Sequence, residues 1–360
     1  MRHRLLASVG ILAALMVVVS LARAPVAAPT SLGSFVGVAD ASGEGAQSPT
    51  ARVKTTAPAA PKKWTPPRTA WGEPDLQGIW SYATITPLER PSSQAGKELL
   101  NDEEAAAVEE EAQTSADRRG GTPEADLAQA YNALYYDRGK SLGRTSLIVD
   151  PPDGRLPALT PEGQKRRAAT AERLRAHPAD SWEDLPLSVR CIVYHGVPPL
   201  PSGYNNTYQI FQTPGYVAIL DENIHDVRWI PVDGRPRVGK KIRQWNGNSR
   251  GHWEDNTLVV ETTNYSPQTT FRTFEAAGET LRAVERFTRV AADKIDFRFT
   301  IDDPTTYVKP WTVALPMTNL PDYEIFEYAC HEGNYTLAHV LSGARAQEKA
   351  ALDAAKKESR

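Results

Sequence analysis

TLVVETT (257–263), LRAVERFTRV (281–290) and KIDFRFTID (294–302) alternate apolar and polar side chains. A period of two marks a strand with one face on a core. Outward from these, TYQIFQ (207–212), YVAIL (216–220), VRWIPV (227–232), YVKPWTVA (307–314) and YEIFEYAC (323–330) read as further strands. Asp255-Asn256 and Ala291-Ala292-Asp293 suit hairpin connections. Short strands joined tightly predict an antiparallel sheet, closed into a barrel or folded into a sandwich.

Before about residue 190 the pattern is helical or irregular. Asn101-Asp102 is an N-cap pair ahead of the acidic, Ala-rich run Glu103–Glu111. Thr122-Pro123-Glu124 opens a helix with Leu127, Tyr131 and Leu134 on one face. Thr160-Pro161-Glu162 repeats the device before a basic, Ala-rich surface helix, and DPPDGRLP (150–157) is a turn. GARAQEKAALDAAKKE, from 343, is a polar surface helix. The expected fold is mainly β with a helical N-terminal part (α+β). Its single domain spans 67–345, helical or irregular over 67–190 and antiparallel β over 191–335, with a polar tail at 346–360.

Residues 5–22 carry no charge and follow Arg2, His3 and Arg4, the pattern of an export signal. Ala22-Arg23-Ala24 offers a cleavage site, but Pro25 opposes it, so residues 1–24 read as either a cleaved signal or a retained anchor. Residues 25–66, rich in Ala, Pro and Thr, read as a disordered linker. The expected location is periplasmic or extracellular, with membrane contact only through the N-terminal segment if it is uncleaved. Cys191 and Cys330 are an even pair in an exported chain, which predicts a disulfide.

The net charge is −3, and no basic patch interleaved with aromatics is present, which argues against nucleic acid as a partner. Glycine-rich phosphate loops, G-x-S-x-G, H-E-x-x-H and C-x-x-C are absent. No cofactor is expected; composition allows a divalent metal held by His and Glu, but no spacing points to one.

Carboxylates in an apolar register are the informative exceptions. Glu285 interrupts the face of Leu281, Ala283 and Phe287; Glu327 interrupts that of Tyr323, Ile325 and Ala329; Glu261 does so more weakly. A buried carboxylate needs a partner or a shifted pKa. An arginine such as Arg282, Arg286 or Arg298 could satisfy each Glu; otherwise Glu285 and Glu327 face a pocket as acid and base. His225, His252 and His331 lie in turn-rich segments and are their candidate partners. Trp229, Trp245, Trp253, Tyr204, Asn206 and Asn264, with Glu261, are candidate ligand contacts, since flat rings and amides suit a sugar or hydroxylated aromatic. Two functions follow: an exported barrel binding a small hydroxylated or aromatic molecule, or a periplasmic hydrolase or lyase using Glu/His chemistry. A structural or partner-binding role has less support.

WGEPDLQGIW (71–80), TPLERP (86–91), DPPDGRLP, SRGHWEDNTLVVETTNY (249–265) and YACHEGNY (328–335) resemble a large group of exported bacterial proteins. The resemblance spans nearly all of residues 67–345 and implies no mechanism. Gly78-Ile79-Trp80 also looks like the G-x-W start of lipocalin-like barrels. That looser likeness implies a Trp packed across the base of a ligand-holding barrel.

Overall fold

The computed structural model describes residues 64–116, 136–271, 273–276 and 279–358. The export segment, the linker up to residue 63, and the helix expected from Thr122 with Leu127, Tyr131 and Leu134 lie outside the described residues.

In chain order the elements are β1 (Gly78–Ser81), α1 (Asp102–Ala116), β2 (Ile148–Asp150), α2 (Pro161–Ala176), β3 (Thr207–Thr213), β4 (Tyr216–Asp221), β5 (Val227–Pro231), β6 (Asn248–Glu254), β7 (Thr257–Thr263), β8 (Arg282–Ala291), β9 (Lys294–Asp302), β10 (Trp311–Ala314), β11 (Met317–Asn319) and α3 (Thr336–Glu358). The sheet is antiparallel, in the order β5-β4-β3-β1-β11-β9-β8-β7-β6, with β10 bridging β9 and β2. Its ends, β5 and β6, lie side by side, so the sheet curls into a nearly closed barrel.

Alternation explains the filling. Leu258 and Val260 of β7, Ala283 and Phe287 of β8, and Ile295, Phe297, Phe299 and Ile301 of β9 are buried in one core. Phe287 and Phe297 sit opposite each other across the β8–β9 ladder with ring centroids 4.5 Å apart. β1 lies between β3 and β11 and carries the buried Trp80. Its indole N–H donates to the Leu76 carbonyl (2.9 Å), and the Arg289 guanidinium lies 5.2 Å from its ring.

The helix starts follow their caps. Asn101 and Glu104 exchange backbone-to-side-chain hydrogen bonds of 2.8 and 2.9 Å, a capping box on α1. Thr160 accepts from Gly163 N–H (3.0 Å) with Pro161 at the first position of α2. α2 and α3 are mostly exposed. The Cys191–Cys330 disulfide is formed, with Cα atoms 5.7 Å apart.

Four readings need correction. YEIFEYAC (323–330) is irregular, not a strand; Phe326 is 70 % exposed and Glu327 is exposed too. Pro321 interrupts the chain after β11, and Tyr323 and Cys330 then tie the segment to the Glu222 side chain and to Cys191 instead of to a neighbouring strand. Within YVKPWTVA only Trp311–Ala314 forms a strand; Tyr307 makes an isolated bridge to Leu159, and Pro310 between them has no N–H to give a ladder. SRGHWE, the segment of His252 and expected to be turn-rich, is strand β6, and the helical part of the chain contributes β1 and β2 to the sheet.

Candidate functional site

Glu285 points into the barrel and is fully buried. Arg228, from β5, grips it with Nη1 to Oε1 at 3.0 Å and Nη2 to Oε2 at 2.6 Å. The partner is none of the nearby arginines. Arg282 bonds Glu261, Arg286 bonds Glu254 and Arg298 bonds Asp296, all on the outer surface. Arg228 also donates to Ser249 Oγ (3.2 Å) on β6, which meets Thr262 Oγ1 at 2.8 Å. Burial opposes the guanidinium's charge, yet the Glu285 charge and hydrogen bonds hold its pKa above the ordinary value. Burial likewise pushes the Tyr208 and Tyr265 phenols up, with the nearby Asp221 and Glu285 carboxylates adding to it. With both oxygens engaged, Glu285 serves as the barrel's internal tie rather than as an open proton acceptor.

The other nominated residues scatter. Glu327 lies off the sheet and in solvent, so no Glu285–Glu327 pair exists. His252 is on the outward face of β6, its Nε2 3.1 Å from Glu254 Oε1. His331 is exposed in the turn after the disulfide. The His225 side chain lies outside the described residues. Trp229 is 68 % exposed on the outer face of edge strand β5. Trp245 and Trp253 are half-buried, and Trp253 packs on the core. Glu261 sits on the surface between Arg237 and Arg282. Asn264 holds a loop by donating to the Gly239 and Ile242 carbonyls at 3.2 and 3.1 Å. Among the described residues no three His, Cys, Asp or Glu side chains group as metal ligands.

Tyr204 and Asn206 do belong to a cluster, at the end of the barrel where β4 turns into β5. The segment 191–206 crosses there. Cys191 anchors its start through the disulfide, and a cis bond joins Val197 to Pro198. Asn206, fully buried, anchors its end by accepting from Ser202 N–H (2.7 Å) and donating to the Asp137 and Ser202 carbonyls. Inside this loop His195 lies with Nε2 3.0 Å from Ser202 Oγ and Nδ1 2.8 Å from Tyr82 Oη and 3.3 Å from Asp221 Oδ1. Tyr194 stacks on Tyr204 at 5.9 Å. Ser202 and Gly203 line an open cleft of about 510 Å³ between this loop and α1. The sequence held no signal for this grouping. His195, Ser202 and Asp221 match no motif and come together only through the fold.

A larger cleft, about 630 Å³, lies against α2. Phe271 and Phe274 stack along it at 4.5 Å, and Phe274 meets the buried Trp311 edge-on at 5.2 Å. Tyr307 completes the aromatic wall, and its hydroxyl accepts from Glu275 N–H (3.1 Å). Glu89, Gln164, Arg167 and Glu275 supply polar groups around it.

Neither protein-family models, nor curated proteins, nor solved structures yield a match to the chain.

Proposed function

We propose that the protein is an exported binding protein for a small hydroxylated aromatic molecule, held in the cleft against α2. The supporting observation is the stacked Phe271–Phe274 pair, backed by Trp311 and Tyr307 and bordered by two carboxylates, an amide and a guanidinium. An apolar, ring-lined wall with a few polar groups suits a flat ligand carrying hydroxyls. The barrel lumen, filled by Phe287, Phe297, Phe299 and their neighbours, is a less suitable place. Export is supported by the apolar segment 5–22 and by the formed disulfide, which persists in an oxidising compartment.

The test is titration of the intact exported protein with catechol and 4-hydroxybenzoate, followed by calorimetry. Saturable binding at one site is expected, weakened about tenfold by Phe271→Ala, a loss matching one aromatic contact of about 1.4 kcal/mol. Absence of binding by either probe, together with native mass spectra free of any copurifying small molecule, would overturn the reading.

A further inference from the structure

The segment 191–206 presents a hydroxyl, an imidazole and a carboxylate in series, and the hydroxyl-bearing residue reaches a cleft. We propose that Ser202, His195 and Asp221 act as nucleophile, general base and orienting acid in hydrolysis of a carboxylic ester bound beside α1. This activity is separate from binding in the α2 cleft and stands or falls without it.

The geometry satisfies the requirements of such a relay. Ser202 Oγ is within hydrogen-bond reach of His195 Nε2 (3.0 Å), and Asp221 Oδ1 faces the other ring nitrogen at 3.3 Å. The His195 side chain is 0 % exposed, so water does not compete for its nitrogens. Asp221 ends β4 and is aimed by the Asn223 N–H, which donates to Oδ1 at 3.1 Å. Tyr82, buried next to β1, holds Nδ1 from a second side at 2.8 Å. Each partner therefore sits on the sheet or on a loop pinned at both ends, the placement a positioned catalytic group needs.

Ser202 also forms a local turn, donating to the Tyr204 carbonyl at 2.9 Å. A serine with only that role needs no exit. Ser202 has one, with Gly203 beside it on the cleft wall. A Cβ on Gly203 would lie 2.9 Å from the Tyr136 ring, so the close approach of that ring requires glycine there. Gly203 is the next residue in the chain, and its backbone N–H is the group assigned to the developing oxyanion. Ile85, Val108 and Ala112 give the cleft an apolar side, which suits a short acyl chain.

Two proton arrangements fit the observed partners. In the resting one, Tyr82 O–H donates to Nδ1 and Nε2–H donates to Ser202 Oγ. In the reactive one, the ring proton is on Nδ1 facing Asp221, and Ser202 O–H donates to Nε2. From the second, Oγ attacks the ester carbonyl carbon and its proton passes to Nε2. The bond from carbon to the leaving oxygen then breaks, and Nε2 returns the proton to that oxygen, releasing an alcohol. Water, deprotonated by Nε2, attacks the acyl-serine. The Oγ–carbon bond breaks, Oγ regains a proton, and a carboxylic acid leaves.

The full-length protein is treated with an ethyl fluorophosphonate probe and with 4-nitrophenyl butyrate. One phosphonyl adduct per chain is expected, located on Ser202 by peptide mapping. Ester turnover should fall at least about a thousandfold in Ser202→Ala. Labelling of Asp221→Asn should slow by about a hundredfold or more while its far-ultraviolet dichroism matches the parent. The proposal is overturned by an unlabelled wild-type chain, by an adduct on another residue, or by either variant keeping the parent's rate. Should Ser202→Ala not fold, adduct mapping on the unaltered chain decides alone.

Discussion

Replacing Glu285 with Gln probes how the barrel is tied. Both carboxylate oxygens are held by Arg228, and the side chains of the pair are 0 % and 6 % exposed. Removing one partner of such a pair strands the other charge in the core, at a cost of about 3–5 kcal/mol. Gln keeps the shape and one acceptor oxygen, which points to the lower end, about 3 kcal/mol. Arg228 cannot easily escape by losing its proton, because a guanidinium keeps its charge in proteins even without a partner. For a domain of this size about 2 °C of melting temperature accompanies each kcal/mol, so a drop of about 6 °C is expected. Urea unfolding gives the free energy directly. The companion variant Arg228→Met with Glu285→Leu removes both charges together and should recover to within about 2 kcal/mol of the parent, or exceed it. The reasoning is refuted if Glu285→Gln costs less than about 1 kcal/mol, the value of an exposed pair, or if the double variant is no better than the worse single one.

Replacing both cysteines with Ala should lower stability by about 5 kcal/mol in the chain-entropy relation, given the 139-residue separation, with no further loss on adding reductant; urea midpoints with and without dithiothreitol check this. Gly251→Ala should cost about 1–3 kcal/mol, because its new Cβ would fall 2.8 Å from Val232 Cγ1 and 3.0 Å from Ile230 Cγ2 where β5 meets β6; an unchanged unfolding curve would mean that the join is loose. Burial raises the Asp226 pKa, so folding favours its neutral form and the parent loses stability as pH climbs through that value. Asp226→Asn should therefore be the more stable protein at neutral pH, with the difference gone near pH 3, below the ordinary carboxylate pKa of about 4. The raised Tyr208 and Tyr265 phenols predict stability present below about pH 10 and lost above it, as the unfolded chain ionises first; alkaline unfolding monitored by dichroism measures it.

The barrel was legible because a pleat writes itself into the sequence. Leu258 and Val260, or Phe297 and Phe299, must alternate with polar neighbours whatever else the fold does. The cysteine pairing was legible from compartment and parity. β1 was not legible from periodicity, since four residues carry none; only the Gly78-Ile79-Trp80 likeness points to it, and its place between β3 and β11 is a tertiary choice. Tyr323 to Ala329 misled in the opposite direction, as its alternation has no sheet partner and its apolar residues are left half-buried or exposed. The alternation singles out Glu285 but leaves open a neighbouring arginine on a polar face or a pocket; its arginine comes from β5, 57 residues away, where no local rule reaches. His195, Ser202 and Asp221 were invisible for the same reason. Their proximity depends on a crossing loop, a disulfide and a buried amide, none of which leaves a spacing pattern.

β5 and β6 stand together without a shared ladder, so among the described residues the backbone amides on these two borders have no strand to pair with. Such borders invite a passing extended chain. Here each shields the other, and what joins them is made of side chains: Arg228 of β5 donates to Ser249 of β6 while it grips Glu285 of β8, and Gly251 of β6 packs closely on Val232 and Ile230. A cylinder closed by side chains rather than by a ladder can unzip along a single line while every other stave stays bonded. Deuterium uptake should enter there first, and a variant stuck ajar would recruit foreign strands and grow into aggregates.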